Sequence, residues 1–254
     1  MNILFTICGR AGSKGFKNKN LKMMRDIPLV YYTLAVIREY KEHHEEDTIT
    51  IALNTDSDDL VKQVKNQNLL HVDIIKRKNE LAGDTVPKGE VVRDTFLSYK
   101  EENFDVVVDL DITSPIRTLE DLENILTVYN TGNYDVVFSV VDSRRSPYFN
   151  MVENKDDGFY KKVCSSNYSA RQQVPKTYEL NASLYAYRPK FLVKKLDKNL
   201  LDNNCGISLM KDYLVLDIDS ERDFILMQHL HDFFCKEEGG LNKIYNVAKA
   251  FALS

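Results

Sequence analysis

The stretch Asn2-Ile-Leu-Phe-Thr-Ile-Cys-Gly-Arg-Ala-Gly-Ser-Lys-Gly-Phe-Lys-Asn-Lys-Asn20 passes from an apolar, β-branched run straight into a loop of glycines and cations. Residues 3–7 read as a strand covered on both faces, the usual unit of a parallel sheet. Gly9, Gly12 and Gly15 follow at GxxGxxG spacing, with Arg10, Ser13, Lys14, Lys17 and Lys19 interleaved. Backbone without Cβ lets N–H groups converge on phosphate oxygens, and the cations neutralise their charge. Neither the GK[ST] end of a Walker loop nor the GxGxxG of a dinucleotide site occurs here, so kinase-like and dehydrogenase readings lose ground. A nucleoside triphosphate at the C-terminal end of the first strand is the expected ligand, with a solvated glycine loop as the alternative.

Outward from this stretch the chain repeats a β-then-α rhythm. Ile3–Ile7, Thr48–Leu53, Val72–Ile75, Val106–Leu110 and Val136–Val141 read as strands, and Leu29–Tyr40, Leu60–Gln67, Val91–Tyr99 and Leu119–Tyr129 have helical spacing. That order predicts an α/β fold: a Rossmann-like, doubly wound, mainly parallel sheet with its ligand crevice at the strand C-terminal ends. From Asp142 to Tyr178 polar, Tyr-rich sequence replaces the expected helix, which suggests an inserted β-rich arm. Regular pattern returns with Ala182–Tyr187, Tyr213–Ile218 and a helical Glu221–Phe234, and Leu241–Leu253 after Gly239-Gly240 reads as a terminal helix docked on its own domain. The expected organisation is a main domain over 1–141 and 179–238, an arm over 142–178 and an extension over 239–254.

A chain of 254 residues, 43% hydrophobic and 28% charged, suits one large α/β domain with a substantial core. The net charge of −4 without a basic block gives little support to an extended nucleic-acid surface, and no apolar run is long enough for a membrane span. The first residues lack a basic n-region and a small-residue cleavage site, so a cytoplasmic location is expected. Cys8, Cys164, Cys205 and Cys235 lack CxxC spacing and read as free thiols. His229 and His231 diverge on a helix and His43-His44 ends a polar one; both pairs read as solvated helix faces, and no nucleophile-histidine pattern stands out.

Asp217 and Asp219 end an apolar run two residues apart, so both can face one side of a sheet edge. Paired hard oxygens beside a triphosphate are what magnesium needs, and a strand-end pair or helix cap before Ser220-Glu221 fits the same residues equally well. Asp109 and Asp111 form a second such pair.

The run Ile7 to Leu21, followed by Ile27-Pro-Leu29, resembles the opening motif of the CMP-sialic acid synthetases, or acylneuraminate cytidylyltransferases. Arg77-Lys-Asn-Glu-Leu-Ala-Gly-Asp-Thr85, Thr113-Ser-Pro-Ile-Arg117, Arg171-Gln-Gln-Val-Pro-Lys-Thr-Tyr-Glu-Leu-Asn-Ala-Ser-Leu-Tyr185 and Asp217-Ile-Asp219 resemble the later motifs in order, covering roughly residues 1–235. Asp109-Leu-Asp-Ile-Thr-Ser-Pro115 and Ser146-Pro-Tyr-Phe-Asn-Met-Val152 look most like the branch serving legionaminic acid, a bacterial relative of sialic acid.

The resemblance implies a magnesium-dependent cytidylyltransferase joining CTP to an acidic nine-carbon sugar, acting as a homodimer whose arm reaches the neighbouring active site. It implies nucleotide contacts from Gly9, Arg10, Gly12, Ser13, Lys14, Asn20 and Arg77, with Arg10 and Lys14 on the triphosphate and Asp217 and Asp219 on the metal. Sugar contacts would come from Arg171, Gln172, Asn181 and Tyr185, although Tyr185 also fits strand packing, and Arg77 alone would read as a surface ion pair. The chain departs from the pattern twice: Asp111-Ile112 stands where the family has Gln-Pro, which points Asp111 to the sugar, with metal binding as the alternative, and the family serine after Asp84-Thr85, part of the base pocket, is replaced around Lys88. A CMP-Kdo synthetase, an enzyme using a neutral sugar phosphate and a nucleotide-binding regulator are the rival readings.

Overall fold

The structure is a computed structural model that describes residues 1–12, 15–99, 102–155, 158–194, 199–212 and 217–254. The opening run forms β1 (Asn2–Gly9) inside the main sheet because both of its faces are apolar. Ile3, Phe5 and Ile7 enter one core and Leu4 enters the other, as the two-residue period of a strand requires. On either side run β4 (Thr48–Thr55) and β6 (Val106–Leu110), both parallel to it, with Phe5 opposite Ile51 and Val108. The sheet is completed by β5 (Asp73–Lys76), β7 (Val136–Asp142), β10 (Tyr178–Tyr187) and β11 (Cys205–Leu209), in the order β11-β7-β10-β6-β1-β4-β5. All pairings are parallel except those of β10, which runs antiparallel to β6 and β7.

On one face lie α1 (Leu29–His43), α2 (Asp58–Lys65), α4 (Leu119–Thr131) and α7 (Gly239–Leu253), and on the other α3 (Lys88–Leu97) and α5 (Pro189–Leu192). The helix starts are chemically marked. Ser57 Oγ accepts from Leu60 N at 3.3 Å, and a capping box of Thr118 with Asp121 opens α4. The terminal α7 buries Leu241, Ile244, Ala248 and Phe251 against α1 and α6 (Glu221–Glu237), so the extension is docked on its own domain. Full burial stabilises by about 1.5–3 kcal/mol for each of the three larger side chains.

One expectation is corrected here. His231 on α6 is only 4% exposed, its ring edge-on to those of Tyr32 and Tyr245, whereas His229 remains exposed. The sequence of α6 alone marks this face as solvated; Tyr245 of α7 covers it.

Between β7 and β10 the chain forms a separate antiparallel pair, β8 (Val152–Asn154) and β9 (Tyr160–Lys162). It carries Val152, Phe159 and Tyr160 at 60%, 69% and 69% exposure. The expected strand Tyr213–Ile218 falls mostly on 213–216, outside the described residues, and Asp217-Ile218 is irregular chain. The four cysteines are free thiols, and no described helix is long and apolar enough to cross a membrane.

Candidate active site

The glycine loop leaves β1 at Gly9, which packs against Leu60 and Ile112, and turns at Gly12, whose φ of +68° lies in the left-handed region that a side chain disfavours. Carboxylates occupy its donors: Ala11 N donates to Asp56 Oδ1 at 2.8 Å, and Arg10 pairs with Asp84. Asn20, 8% exposed, folds back and donates from Nδ2 to the Arg10 carbonyl at 3.1 Å. Phosphate oxygens could compete for the same charged and N–H donors.

The acidic segment meets this loop directly. Lys19 Nζ donates to Asp219 Oδ1 at 2.8 Å and to the Ile218 carbonyl at 3.0 Å. A Cβ on Gly15 would lie 2.9 Å from the Asp219 carbonyl, so this glycine permits the approach. Ile218 N donates to the Thr113 carbonyl at 3.0 Å, fixing the segment beside the end of β6. The helix-cap role belongs to neighbouring residues: Ser220 and Asp223 form the capping box of α6, with Asp223 accepting from Ser220 N at 2.7 Å. Asp217 and Asp219 are therefore not consumed as caps. Burial, helped by the nearby Asp219 and Asp111 carboxylates, pushes the Asp217 carboxyl up to about 6. A partly buried carboxylate destabilised by its acidic neighbours, next to an exposed one, is a donor set that suits a hard divalent cation such as Mg2+.

At the end of β6 a lysine bridges the second acidic pair. Lys88 Nζ lies 2.7 Å from Asp109 Oδ2 and 2.6 Å from Asp111 Oδ2. Asp109 is fully buried and accepts from Thr6 Oγ1 at 2.9 Å; Asp111 Oδ1 accepts from Thr113 N at 2.8 Å and from Thr113 Oγ1 at 2.7 Å. Burial alone would depress the Lys88 ammonium, but the two carboxylates overcome it and hold the group well above its usual range. Burial would likewise raise Asp111, and Lys88 with the Thr113 donors instead holds it well below the carboxylate range. Both members of the pair are thus charged at neutral pH. Lys88, Asp111 and Thr113 share a cavity of about 180 Å3 with Arg10, Asn20 and Arg77.

The profile of the cytidylyltransferase family matches residues 4–250. The chain belongs to the cytidylyltransferase family. It is 34% identical to the post-translational flagellin modification protein B of Campylobacter coli over 232 residues, 90% of this chain and 94% of that one. To the CMP-N,N'-diacetyllegionaminic acid synthase of Campylobacter jejuni it is 31% identical over 231 residues, again 90% and 94% of the two chains. A CTP-bound CMP:2-keto-3-deoxy-manno-octonic acid synthetase shares the fold, with a TM-score of 0.63 at 13% identity, covering 91% of this chain and 98% of that one. The protein is accordingly a nucleotidyltransferase.

Within this cytidylyltransferase, the residues expected at the nucleotide do not all sit alike. Arg10, Asn20 and Arg77 line the loop cavity, while Ser13 and Lys14 lie outside the described residues. Arg77 is 5% exposed and clamps Asn54 through Nε to Oδ1 at 3.0 Å and through Nη2 to the carbonyl at 2.9 Å, which replaces the surface ion pair its sequence position also allowed. Of the expected sugar residues, Asp111 lines this cavity and Tyr185 stands beside it, its ring centroid 5.5 Å from Lys88 Nζ. Asn181 is buried and committed internally, accepting from Ser139 Oγ at 2.5 Å and donating to Met210 Sδ at 3.1 Å. Arg171 lines a different cavity of about 340 Å3 in the arm, with Arg145, Phe149 and Lys176, and Gln172 is exposed beside it.

Sequence reasoning missed two residues of this region. Lys88 begins α3, where the helix dipole disfavours a cation, and that misplacement was the available signal that a stronger anionic partner exists. Arg117, fully buried, donates to the Ser183 carbonyl at 2.8 Å and to the Asp111 carbonyl, and burial lowers it to about 10. It fixes the backbone that carries Asp111.

Proposed function

We propose that this protein transfers CMP from CTP to the anomeric hydroxyl of an acidic nine-carbon 2-keto sugar, legionaminic acid or N-acetylneuraminic acid, releasing pyrophosphate. The observation that carries this reading is the junction of the cationic glycine loop with Asp217-Ile-Asp219 through Lys19. The name of the Campylobacter jejuni relative supports the sugar class, and a role in bacterial surface-glycan synthesis is proposed with it. The protein works as a cytoplasmic homodimer.

In this reading Arg10, Lys14 and the loop N–H groups take the triphosphate, with Arg77 and Asn20 at the nucleoside end. Asp217 and Asp219 would hold magnesium, which would supply positive charge at the α-phosphate and lower the pKa of the attacking hydroxyl. Asp111 contacts the sugar, and Tyr185 packs beside it. Arg171 lines the arm cavity and Gln172 is exposed beside it; in this reading both meet the sugar of the partner subunit, where an arginine fork suits its carboxylate. Catalysis then rests on alignment and charge stabilisation more than on a side-chain base.

The test is pyrophosphate release from CTP with magnesium against legionaminic acid, N-acetylneuraminic acid, Kdo and neutral sugar phosphates. Turnover restricted to the nine-carbon acids is expected. Preference for Kdo or a sugar phosphate would replace the substrate assignment, and CTP binding without turnover on any acceptor would favour a regulator.

A further inference from the structure

Lys88 and Asp111 have hydrogen-bonding capacity left over at the cavity wall. An ammonium has three N–H donors; here one goes to Asp111 Oδ2, and Nζ also forms an ion pair with Asp109 Oδ2 at 2.7 Å. Asp111 Oδ1 is filled by both donors of Thr113, whereas Oδ2 accepts only from Lys88 among the described residues. The Lys88 side chain is 29% exposed and that of Asp111 19%, and both line the cavity, while Asp109 is sealed beneath them. The wall therefore presents one N–H donor beside one carboxylate acceptor.

This pair is also held rigidly. The Asp111 backbone donates to the Ser183 carbonyl at 3.1 Å and its own carbonyl accepts from Arg117. The cation tolerates an adverse helix dipole to stay there. A purely structural tie would not need the acceptor and the donor to open together onto a cavity that also holds Arg10 and Arg77.

We propose that Lys88 and Asp111 together select the acceptor sugar by reading two neighbouring hydroxyl groups, Asp111 accepting from one and Lys88 donating to the oxygen of the other. The assignment rests on the CMP-transfer reading, and it adds Lys88 as a specificity-determining residue. A sugar lacking either hydroxyl leaves a partly buried donor or acceptor without its partner, which is the source of discrimination.

The test compares wild type, Lys88→Met, Lys88→Arg and Asp111→Asn with N-acetylneuraminic acid and its monodeoxy analogues. Thermal melting identifies variants that fail to fold, and Asp111→Asn keeps Lys88 paired with Asp109 if Lys88→Met does not fold. Expected are a sugar KM at least about tenfold higher in Lys88→Met and Asp111→Asn, CTP affinity by calorimetry unchanged within about twofold, and partial rescue in Lys88→Arg. One monodeoxy analogue should bind wild type and Lys88→Met alike. A loss confined to CTP affinity would overturn the proposal by assigning the pair to the base, and folded variants unchanged on both substrates would reduce it to a structural tie. Should wild type turn over neither N-acetylneuraminic acid nor legionaminic acid, the transfer reaction itself fails, and binding of both sugars measured by calorimetry still decides the role of Lys88.

Discussion

Lys19 Nζ lies 2.8 Å from Asp219 Oδ1 and 3.0 Å from the Ile218 carbonyl, joining the loop after the first strand to an acidic segment near the far end of the chain. In the proposed reaction this contact would hold the triphosphate loop and the metal-holding segment in register. Because the Asp219 side chain is 72% exposed, the pair contributes little to stability. Lys19→Met is expected to raise the KM for CTP about tenfold, through loss of a charge-assisted donor, while the melting temperature moves by no more than about 2 °C.

Gly15 provides a second probe of the same junction. Gly15→Ala places a Cβ within 2.9 Å of the Asp219 carbonyl and forces the loop and acidic segment apart. The shift needed is a few tenths of an ångström, short of the ~1 Å misplacement that costs about 100-fold, so a loss of up to about tenfold in kcat/KM is expected. Steady-state kinetics with CTP reads the effect, and an unchanged kcat/KM would show that the approach is not needed for turnover.

Asp217 sets a pH dependence. Its carboxyl is about 6 in the folded protein against 3.8 in the unfolded chain. The stability contribution of this group is present below 3.8 and lost as pH rises through about 6, where the ionised form faces Asp219 and Asp111. A divalent cation held by this pair would bind the ionised form. The magnesium-induced rise in melting temperature should therefore be larger at pH 7.5 than at 5.5, with Asp217→Asn removing the difference.

His231 acts in the opposite sense. Burial, with Arg25 nearby, lowers it from 6.5 to about 4, so its stability contribution is present above 6.5 and lost as pH falls through about 4. The full loss amounts to about 3 kcal/mol. Urea unfolding between pH 7 and 4 should show a flatter profile for His231→Phe, which keeps the ring contacts with Tyr32 and Tyr245 without the proton site.

How much of this was legible in the sequence depends on whether the deciding partner was local. The run from residue 2 to 20 carried both its strand and its loop in consecutive residues, and Val106–Leu110 announced a covered strand by being apolar on both faces. Asp217 and Asp219 could not be separated from a helix cap until Ser220 and Asp223 were seen to fill that role. His231 looked solvated because Tyr245 belongs to a different helix. Lys88 and Arg117 act through partners brought close only by the sheet, so no spacing rule could expose them.

The arm gives a prediction about assembly. Val152, Phe159 and Tyr160 are exposed on a narrow two-stranded sheet, a surface suited to a partner copy. Light scattering should return twice the 29.4 kDa chain mass for wild type. A Val152→Asp and Tyr160→Asp double variant should shift it towards one chain. Mixing inactive Arg171→Ala and Asp217→Asn proteins should restore activity in part, because each hybrid dimer then contains one complete site.

The most direct measurement of the central claim is phosphorus NMR of CTP with a nine-carbon acid sugar, run for wild type and Asp217→Asn with magnesium and for wild type in EDTA. Wild type with magnesium is predicted to convert CTP into one phosphodiester signal and pyrophosphate in equal amounts, with neither appearing in the other two samples. Full conversion by Asp217→Asn or in EDTA would contradict the assignment of the metal to this acidic pair, and CTP left intact by wild type with every nine-carbon acid would contradict the reaction itself.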